Sequence, residues 1–431
     1  MSTLLKEAIV ERASDIHIEP LADGMRIRSR VDGYLRENRR GATTDLEPLL
    51  TRIKAISGLD ITSHNPQDGH FEFTATIAAP LSGGAPAARL GGKSAFAPAR
   101  NALERLFTAD AESAPEPDAG SAPPSAPQPE AAGKVYTLNI RVSIFPTVYG
   151  EAAVLRLLNR SEMLISLQDL GMDDDILRTL RQLIMRSYGM VLVTGPAGSG
   201  KTTMLYSILR ELKGVERNIV TLEDPVEFYF GDIRQSQIRP QHGLTFAEGM
   251  RSILRQDPDI IMIGEIRDPE TAEYATRASL VGRLVFSTVH SNSTIGTIAR
   301  LLDMNVERSI IAYAVNGIVS QRLLRKVCAA CKVSDTPNQE HLRHLNWDGG
   351  NSVFTRGAGC KECNNTGYKG RTGIFTTLTF DDTLRSLIVE KASMGELQAY
   401  EEKLGVKSLR DQAIQKVVAG VTTLEEAARA I

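Results

Sequence analysis

The chain has 431 residues, 42% of them apolar, and its 50 Lys and Arg against 52 Asp and Glu leave a net charge of −2. This length is enough for two or three domains, and the neutral balance excludes the global basic field that would indicate nucleic-acid binding. No stretch approaches the about 18 consecutive apolar residues of a membrane span, and the first residues lack a hydrophobic signal core, so we expect a cytoplasmic protein.

The first 160 residues show strand patterns on both sides of a compositional break. Polar and apolar residues alternate in "DIHIEP" (15–20), in "MRIRSRV" (25–31) and again in "YTLNIRVSIFPTVYGEAAVLRLLN" (136–159). This alternation predicts half-buried strands, and we interpret residues 1–160 as one small α/β domain. Residues 79–134 are dominated by Ala, Pro, Ser and Gly, a composition that cannot bury enough apolar surface to order the chain. This segment is therefore predicted to be a disordered insertion, the alternative being a functional tether or partner-binding segment.

Beyond residue 160 the pattern changes to short apolar runs separated by helical segments. The runs are "GMVLVTG" (189–195), "NIVTLED" (218–224), "DIIMIGEI" (259–266) and "RLVFSTVH" (283–290). Continuous β-branched runs bounded by turns are typical of buried parallel strands. Their alternation with helices predicts a wound α/β sheet within residues 161–431. The C-terminal part shows helical spacing and little else.

The segment "GPAGSGKT" (195–202) matches the phosphate-loop pattern GxxxxGK[ST] and lies between a predicted strand and a predicted helix. Its glycines let backbone N–H groups surround phosphate oxygens at the positive end of the helix dipole. Lys201 can reach the β- and γ-phosphates and Thr202 can hold Mg²⁺, whereas the alternative is a chance glycine-rich turn. The segment predicts a site for ATP or another nucleoside triphosphate. Its candidate residues are Gly195, Pro196, Ala197, Gly198, Ser199, Gly200, Lys201, Thr202 and Thr203.

Three other strand ends carry groups suited to phosphoryl chemistry. Glu223 ends "NIVTLE", Glu265 follows "DIIMIG" and His290 follows "RLVFSTV". Because ligands bind beyond the carboxyl ends of the strands of an open parallel sheet, we expect these groups to converge on the γ-phosphate. Glu265 is our first candidate for orienting the attacking water, and Glu223 is our second. The alternatives are a helix cap for Glu223 and a structural core or loop histidine, rather than a phosphate sensor, for His290.

Together these segments resemble the type II secretion and type IV pilus assembly ATPases, a family of secretion ATPases. "TLEDPVE" (221–227), "LRQDPDIIMIGEIRD" (254–268) and "STVHSNS" (287–293) are similar to its aspartate box, Walker B and histidine box. "ASDIHIEP" and "PQDGHF" resemble its second N-terminal domain, and the insertion is not part of the family pattern. The resemblance implies a RecA-like P-loop ATPase domain, a smaller α/β N-terminal domain and a zinc-knuckle subdomain.

The resemblance also implies an ATP- and Mg²⁺-dependent machine. Family members form homo-hexameric cytoplasmic rings, attached peripherally to the bacterial inner membrane through a platform protein and a membrane adaptor. Glu265 matches the Walker B acid and Glu223 the aspartate-box acid. Arg141 and Arg156 match arginines with which the N-terminal domain reaches the nucleotide, the alternative being arginines paired within the sheet. The family's first N-terminal domain, which docks on the adaptor in secretion members, is expected to be absent.

All four cysteines fall in two CxxC pairs, "CAAC" (328–331) and "CKEC" (360–363), with 28 residues between them. In a reducing compartment this pattern favours a closed, structural Zn²⁺ site over a disulfide. The alternatives are a redox pair, an iron–sulfur cluster, and competition from His341 and His344. Within the resemblance, assembly and secretion motors carry such a module and retraction motors lack it. We interpret residues 326–373 as the zinc module, with the ligands Cys328, Cys331, Cys360 and Cys363.

The leading functional hypothesis is a motor that hydrolyses ATP to power pseudopilus assembly for type II protein secretion. "LGM" (170–172) and "KTTMLY" (201–206) resemble that branch of the family. One alternative is a type IV pilus assembly or DNA-uptake motor with the same chemistry. Another is a nucleotide-dependent scaffold without significant turnover. No nucleic-acid partner is expected.

Overall fold

The structure, a computed structural model, describes residues 1–77, 134–159, 165–214 and 216–431. Residues 1–74 and 137–431 pack as one unit, and Ala75–Tyr136 is a second unit. The predicted insertion, residues 79–134, lies outside the described residues except for Lys134, the first residue of a strand. The predicted domain boundaries stay predictions.

The N-terminal part of the chain forms a six-stranded sheet. Its elements are α1 (Ser2–Glu11), β1 (Ala13–Leu21), β2 (Gly24–Val31), β3 (Tyr34–Gly41), α2 (Thr43–Ile56), β4 (Gln67–Ile77), β5 (Lys134–Thr147) and β6 (Gly150–Asn159), and the strand order is β3-β2-β1-β6-β5-β4. Ile16 and Ile18 of β1 are fully buried and His17 between them is not, because successive side chains of a strand point to opposite faces. Strand β1 pairs with both β2 and β6, which sets Asp15 opposite Arg30 and Arg156.

The rest of the chain is built on a second, seven-stranded sheet. Its elements are α3 (Asp174–Ile184), β7 (Gly189–Thr194), α4 (Lys201–Leu212), β8 (Ile219–Glu223), β9 (Arg234–Gln237), α5 (Phe246–Ile253), β10 (Ile260–Ile263), α6 (Pro269–Leu280), β11 (Leu284–Val289), α7 (Thr294–Asp303), α8 (Arg308–Ala314), β12 (Val315–Val327), β13 (Lys332–Ser334), α9 (Gln339–His344), β14 (Thr355–Gly357), β15 (Tyr368–Thr379), α10 (Asp382–Val389), α11 (Met394–Lys403), α12 (Leu409–Val418) and α13 (Leu424–Ala430). The strand order is β15-β12-β7-β11-β10-β8-β9, and only β15 runs antiparallel to its neighbour.

Both faces of the second sheet are covered. In β7, Met190 and Leu192 pack into one hydrophobic core with side chains of α5 to α8, whereas Val191 and Val193 pack into another with α3 and α4. Every residue of β7 and β11 is buried, as expected for parallel strands between two helical layers. The predicted α/β fold class is confirmed. No helix among the described residues is long and apolar enough to cross a membrane.

Between β12 and β15 the chain leaves the sheet and forms a small lobe that contains all four cysteines. Strands β13 and β14 pair antiparallel, and short 3-10 turns at Ala329–Cys331 and Lys361–Cys363 carry the second cysteine of each pair. Helix α9 packs into a core with residues of α12, α13 and strands β12 and β15. The lobe is therefore joined to the second sheet at two long strands and at a shared core.

A buried ion pair joins β12 to the last helix. Arg325 donates to Glu426 from Nε at 2.8 Å and from Nη2 at 2.6 Å, and Arg429 donates to the same carboxylate at 2.9 and 2.6 Å. The Arg325 guanidinium also lies between two aromatic rings, 4.2 Å from the centroid of Tyr34 and 3.9 Å from that of Tyr368. Because Tyr34 belongs to β3, this arrangement connects the first sheet to the second.

Glu426→Ala is expected to lower the free energy of unfolding by about 3 kcal/mol, because it leaves the largely buried Arg325 without its counter-charge. Burial alone would raise the pKa of Glu426, but hydrogen bonds from Arg429 and Arg325 outweigh it and hold that pKa below its usual value. The stabilisation is therefore present above the ordinary carboxyl pKa of about 4.3 and is lost as the pH falls through the lower folded value.

Urea unfolding measured at neutral pH and again below pH ~4 checks both parts of this prediction. The exposed neighbour Glu425 offers a matched control, and Glu425→Ala should stay within about 0.5 kcal/mol of the wild type. If Glu426→Ala lowers the free energy of unfolding no more than Glu425→Ala does, the Arg325–Glu426 ion pair contributes no more to stability than an exposed ion pair would.

Candidate nucleotide site and cysteine cluster

The phosphate loop connects the end of β7 to the start of α4. Gly198 and Gly200 have φ values of 76° and 91°, left-handed conformations that favour glycine. A Cβ on Gly195 would clash with the carbonyl oxygen of Gln321 in the neighbouring strand β12. A Cβ on Gly200 would lie 2.8 Å from the side-chain nitrogen of the same glutamine. Glycine at these positions therefore lets the loop close over the helix N-terminus while packed against β12.

Lys201, the first residue of α4, is nearly buried inside this loop. Its Nζ donates to the carbonyl oxygens of Gly195 at 2.8 Å and Pro196 at 3.0 Å. Burial lowers the pKa of Lys201, against the opposing effect of the Glu265 charge nearby. The loop thus holds a cation that is only partly compensated, which suits the binding of a polyphosphate.

A second polar group in the loop lacks a partner. Ser199 is 3% exposed, and among the residues that the structure describes its Oγ has no hydrogen-bond partner. A buried polar group without a partner is costly, and a phosphate oxygen would satisfy this one. Thr202, in the first turn of α4, is exposed at the mouth of the loop. The residues present therefore fit ATP, with Thr202 suited to hold its Mg²⁺.

Glu265 and His290 meet just beyond the adjacent strands β10 and β11. His290 Nε2 lies 3.0 Å from Glu265 Oε2, and Arg267 pairs with the other carboxylate oxygen. The Glu265 side chain is 13% exposed and that of His290 is 54% exposed, so the histidine faces solvent over the carboxylate. The structure thus brings together Glu265 and His290, and the charge of Glu265 also raises the pKa of Lys201 against the effect of burial.

Glu223, at the end of β8, is buried more deeply than Glu265. Its Oε1 accepts hydrogen bonds from Thr221 Oγ1 at 2.5 Å and Gln235 Nε2 at 2.9 Å, and its Oε2 accepts one from the hydroxyl of Tyr206. Burial raises the pKa of Glu223, against the opposing effect of these three hydrogen bonds. Both oxygens are thus engaged by protein groups, and the role of Glu223 toward water stays a prediction.

The two predicted arginines of the first sheet contact acidic side chains. Arg141 of β5 and Arg156 of β6 lie opposite each other. Arg141 pairs with Glu227, which follows the β8 strand end, and Arg156 Nε donates to Asp15 Oδ1 at 3.0 Å. Burial raises the pKa of Glu227, partly offset by Arg141. Direct contact of either arginine with a nucleotide stays a prediction.

Two side chains of the site were not predicted. Tyr206 lies five residues after Lys201 in "KTTMLYSILREL". The sequence feature that could have indicated it is a tyrosine hydroxyl on a largely apolar buried helix, because a buried hydroxyl needs a hydrogen-bond partner. Arg267 follows Glu265 in "GEIRD", where an arginine two residues from the candidate acid was the available signal. Neither sequence feature identifies the partner, because the contacts Tyr206–Glu223 and Arg267–Glu265 depend on how the strand ends are folded.

The four cysteine sulfurs converge in the small lobe. The Sγ atoms of Cys328 and Cys360 lie 3.8 Å apart, those of Cys331 and Cys363 3.8 Å, and those of Cys360 and Cys363 3.7 Å. A tetrahedral site with Zn–S bonds of about 2.3 Å places its sulfurs about 3.8 Å apart. Backbone N–H groups of Cys360 and Gly367 both lie 3.2 Å from Cys363 Sγ, as donors to a sulfur that would carry negative charge. The donor set therefore fits Zn²⁺.

Of the residues that the structure describes, the four cysteines alone form the candidate metal site. All four ligand atoms lie within 4.8 Å of one another, and within the described part of the chain no other group of three or more possible ligands comes this close together. His341 and His344, on α9, are not members of the cluster. The four thiols form no disulfide. Four sulfurs fill a tetrahedral shell, so this arrangement suits a structural ion and not a catalytic one.

Comparison with known proteins covers nearly the whole chain. The family model described as "Type II/IV secretion system protein" matches residues 1–80 and 130–429. The chain is 39% identical over 432 residues to type II secretion system protein E of Dickeya dadantii (strain 3937), across 100% of this chain and 74% of that protein. It is 38% identical over 431 residues to type IV pilus assembly ATPase PilB of Myxococcus xanthus (strain DK1622), across 99% of this chain and 66% of that protein.

Among solved structures, the Legionella pneumophila ATPase DotB matches with a TM-score of 0.64 at 22% identity, over 99% of this chain and 94% of that one, which supports the fold. The gap in the family match falls inside the predicted insertion. The chain spans 66% of the length of the pilus assembly relative and 74% of that of the secretion relative. The predicted family is confirmed: the chain belongs to the type II/IV secretion system proteins.

Proposed function

We propose that this chain is an ATP-hydrolysing motor that powers pseudopilus assembly for type II protein secretion. The observation that carries the proposal is the Glu265–His290 pair at the ends of adjacent strands β10 and β11, beside the phosphate loop after β7, with the Glu265 charge close enough to Lys201 to act on the pKa of that lysine. A carboxylate near a phosphate-binding cation is the arrangement that phosphoryl transfer to water requires. The relatives named as a type II secretion protein and a pilus assembly ATPase support the same function.

In this proposal the phosphate loop binds ATP and Glu265 orients the attacking water. Lys201 exchanges the carbonyl oxygens of the loop for the β- and γ-phosphates, and Thr202 holds the Mg²⁺ that accompanies the nucleotide and neutralises phosphate charge. Glu265 accepts a hydrogen bond from the water, and His290 and Arg267 keep the carboxylate in one orientation. Glu223 is the second candidate for this role.

We also propose that residues 1–160 act as a lobe that responds to the nucleotide bound in residues 161–431. Arg141 pairs with Glu227, next to the strand end that carries Glu223. Transfer of Arg141, or of Arg156 beside it, from its carboxylate partner to the γ-phosphate would couple ATP binding to movement of the lobe.

The setting of the motor is proposed from the family resemblance. The chain acts as a homo-hexameric ring in the cytoplasm, held at the bacterial inner membrane by a platform protein and a membrane adaptor. Cys328, Cys331, Cys360 and Cys363 hold one Zn²⁺ per chain, whose role is structural, and the spacing of their sulfurs supports this assignment.

A pilus assembly or DNA-uptake motor is the second candidate, and the identities of 39% and 38% to the two kinds of relative favour neither machine. Complementation separates the two: the chain should restore export in a host that lacks its secretion ATPase and fail to restore piliation in one that lacks its pilus assembly ATPase. The reverse result would assign the chain to pilus assembly.

Turnover by the full chain tests the motor itself. Glu265→Gln is expected to lower kcat for phosphate release by about 10²-fold or more, because the amide cannot accept the proton or orient the water as the carboxylate does. ATP affinity should be retained, since Lys201 and the loop are unchanged. Phosphate release and equilibrium binding of a fluorescent ATP analogue measure the two quantities.

Glu270→Gln is the matched control, since Glu270 is the second residue of α6, close by in sequence, and its exposed carboxylate pairs with Arg251. This variant should turn over at the wild-type rate. If the wild type releases phosphate no faster than Glu265→Gln, even in the presence of its membrane partner, the chain is a nucleotide-dependent scaffold and not a motor.

A further inference from the structure

The phosphate-loop helix carries a tyrosine with no assigned role in the site described above. Tyr206 lies five residues after Lys201 on α4 and is fully buried. Its ring packs edge-on against that of Phe230, with the centroids 5.7 Å apart and the planes at 86°. This packing fixes the ring in an orientation that brings the hydroxyl to the end of β8.

The hydroxyl of Tyr206 makes hydrogen bonds as both donor and acceptor. Its O–H donates to Glu223 Oε2, and its oxygen accepts the backbone N–H of Glu227 at 2.9 Å and that of Phe228 at 3.4 Å. Burial raises the pKa of Tyr206 above its usual value, so the phenol stays protonated and keeps donating to the carboxylate. The hydroxyl oxygen of Tyr206 is thus hydrogen-bonded both to the Glu223 carboxylate, at the end of β8, and to the backbone of Glu227 and Phe228, in the segment that follows.

We propose that Tyr206 is a positioning residue for ATP hydrolysis, whose hydroxyl ties the Glu223 carboxylate and the backbone at Glu227 to the helix that begins with Lys201. This inference rests on the proposed function, because it concerns turnover at the same site. Lys201 and Tyr206 belong to one rigid helix, so any shift of the helix on phosphate binding moves the hydroxyl with it. Through its hydrogen bonds, the Tyr206 hydroxyl then moves the Glu223 carboxylate and the backbone at Glu227 along with the helix.

The second of these hydrogen bonds leads to the first sheet. Glu227 pairs with Arg141 of β5, while its Oε2 is buried and has no hydrogen-bond partner among the described residues. The position of this carboxylate therefore depends strongly on its own backbone, which the Tyr206 hydroxyl holds. Loss of the hydroxyl should loosen the contact with Arg141 as well as the orientation of Glu223.

A packing role alone would not require the hydroxyl. Phenylalanine has the same ring and keeps the contact with Phe230, so Tyr206→Phe removes the hydrogen bonds and little volume. Glu223 keeps its donors Thr221 and Gln235 in this variant, so the strand end is expected to stay folded. Any loss of turnover then reports on the positioning of the carboxylate and not on collapse of the core.

A double-mutant cycle in the full chain tests the inference, with Tyr206→Phe, Glu223→Gln and the double variant. Tyr206→Phe is expected to lower kcat about tenfold and to change KM for ATP less than about twofold, because the phosphate loop is untouched. In the Glu223→Gln background the same substitution should lower kcat clearly less than about tenfold, because most of its effect acts through the carboxylate and only the effect through the Glu227 backbone is left.

Tyr400→Phe is the matched control, since it removes a 2.7 Å hydrogen bond from a half-buried tyrosine to a carboxylate, that of Asp381, outside the site. It should leave kcat within about twofold of the wild type. Equal losses from Tyr206→Phe in both backgrounds, or a raised KM with unchanged kcat, would overturn the inference alone. Wild-type turnover no faster than that of Glu265→Gln would overturn the proposed function and the inference with it.

Discussion

Lys201→Ala is expected to abolish ATP-dependent turnover while leaving the nucleotide-free fold at least as stable as the wild type. The lysine is buried among loop carbonyls, and burial lowers its pKa, so the folded chain binds its proton less tightly than the unfolded chain does. Carrying this charge therefore costs stability at neutral pH, and the substitution removes that cost. The same substitution removes the cation that would meet the phosphates, so ATP affinity should fall by about 10²-fold or more.

Thermal unfolding with and without ATP and Mg²⁺ checks both parts of this prediction. A ligand at 100 times its Kd stabilises the native state by about 2.7 kcal/mol, and with an about 10²-fold weaker Kd this increment should fall to about 0.4 kcal/mol or less in Lys201→Ala. Lys416→Ala is the matched control, because Lys416 is a largely buried lysine on α12 that pairs with Asp173 at 3.2 Å. It should keep the full response to ATP. An ATP-dependent shift of wild-type size in Lys201→Ala would contradict the assignment of the phosphate loop.

The central strands of the second sheet could be predicted because each is buried on both faces. An apolar run such as residues 283–290 contains the whole of β11, Leu284–Val289, since every side chain of such a strand must be apolar or small. Strand β12 could not be recognised in the same way. Its second half, "QRLLRKV", carries several polar side chains. The guanidinium of Arg325 can be largely buried there only because it pairs with the carboxylate of Glu426, 101 residues later in the chain. Local patterns carry no information on such a partner.

In the candidate site, too, some residues can be predicted from a local sequence pattern and others cannot. The glycines of the phosphate loop and the acids at the strand ends follow from local backbone geometry, so a short segment of sequence identifies them. The partners of those acids come from separate elements: Tyr206 meets Glu223 across 17 residues, and Arg141 meets Glu227 across 86. Predicting these contacts would require the strand register of both sheets. The structure supplies them, whereas the phosphate-loop motif alone does not.

Loss of Zn²⁺ is expected to unfold the lobe between β12 and β15. Structural zinc sites contribute about 10–16 kcal/mol of apparent binding energy in small zinc-finger peptides. In this lobe the only paired strands among the described residues, β13 and β14, have three residues each, so apart from the small core around Leu342 and Phe354 the lobe depends on the four cysteines. Cys328→Ser should therefore lower the zinc content well below one per chain and lower the melting temperature. The effect should extend to Arg325, because Tyr368, which stacks on it, directly follows the lobe's last turn.

Because all four cysteines of the chain lie in this cluster, thiol reactivity measures its occupancy directly. The zinc-bound protein should protect its thiols, and chelation should expose four per chain. Ala330→Ser, at an exposed position between two ligands, adds the same hydroxyl without removing a sulfur and should keep both zinc and stability. ATP affinity should survive zinc loss below the melting temperature of the second sheet, because the phosphate loop is built on β7 and α4 and neither supplies a ligand. Metal-free protein that melts at the wild-type temperature would rule out the structural role.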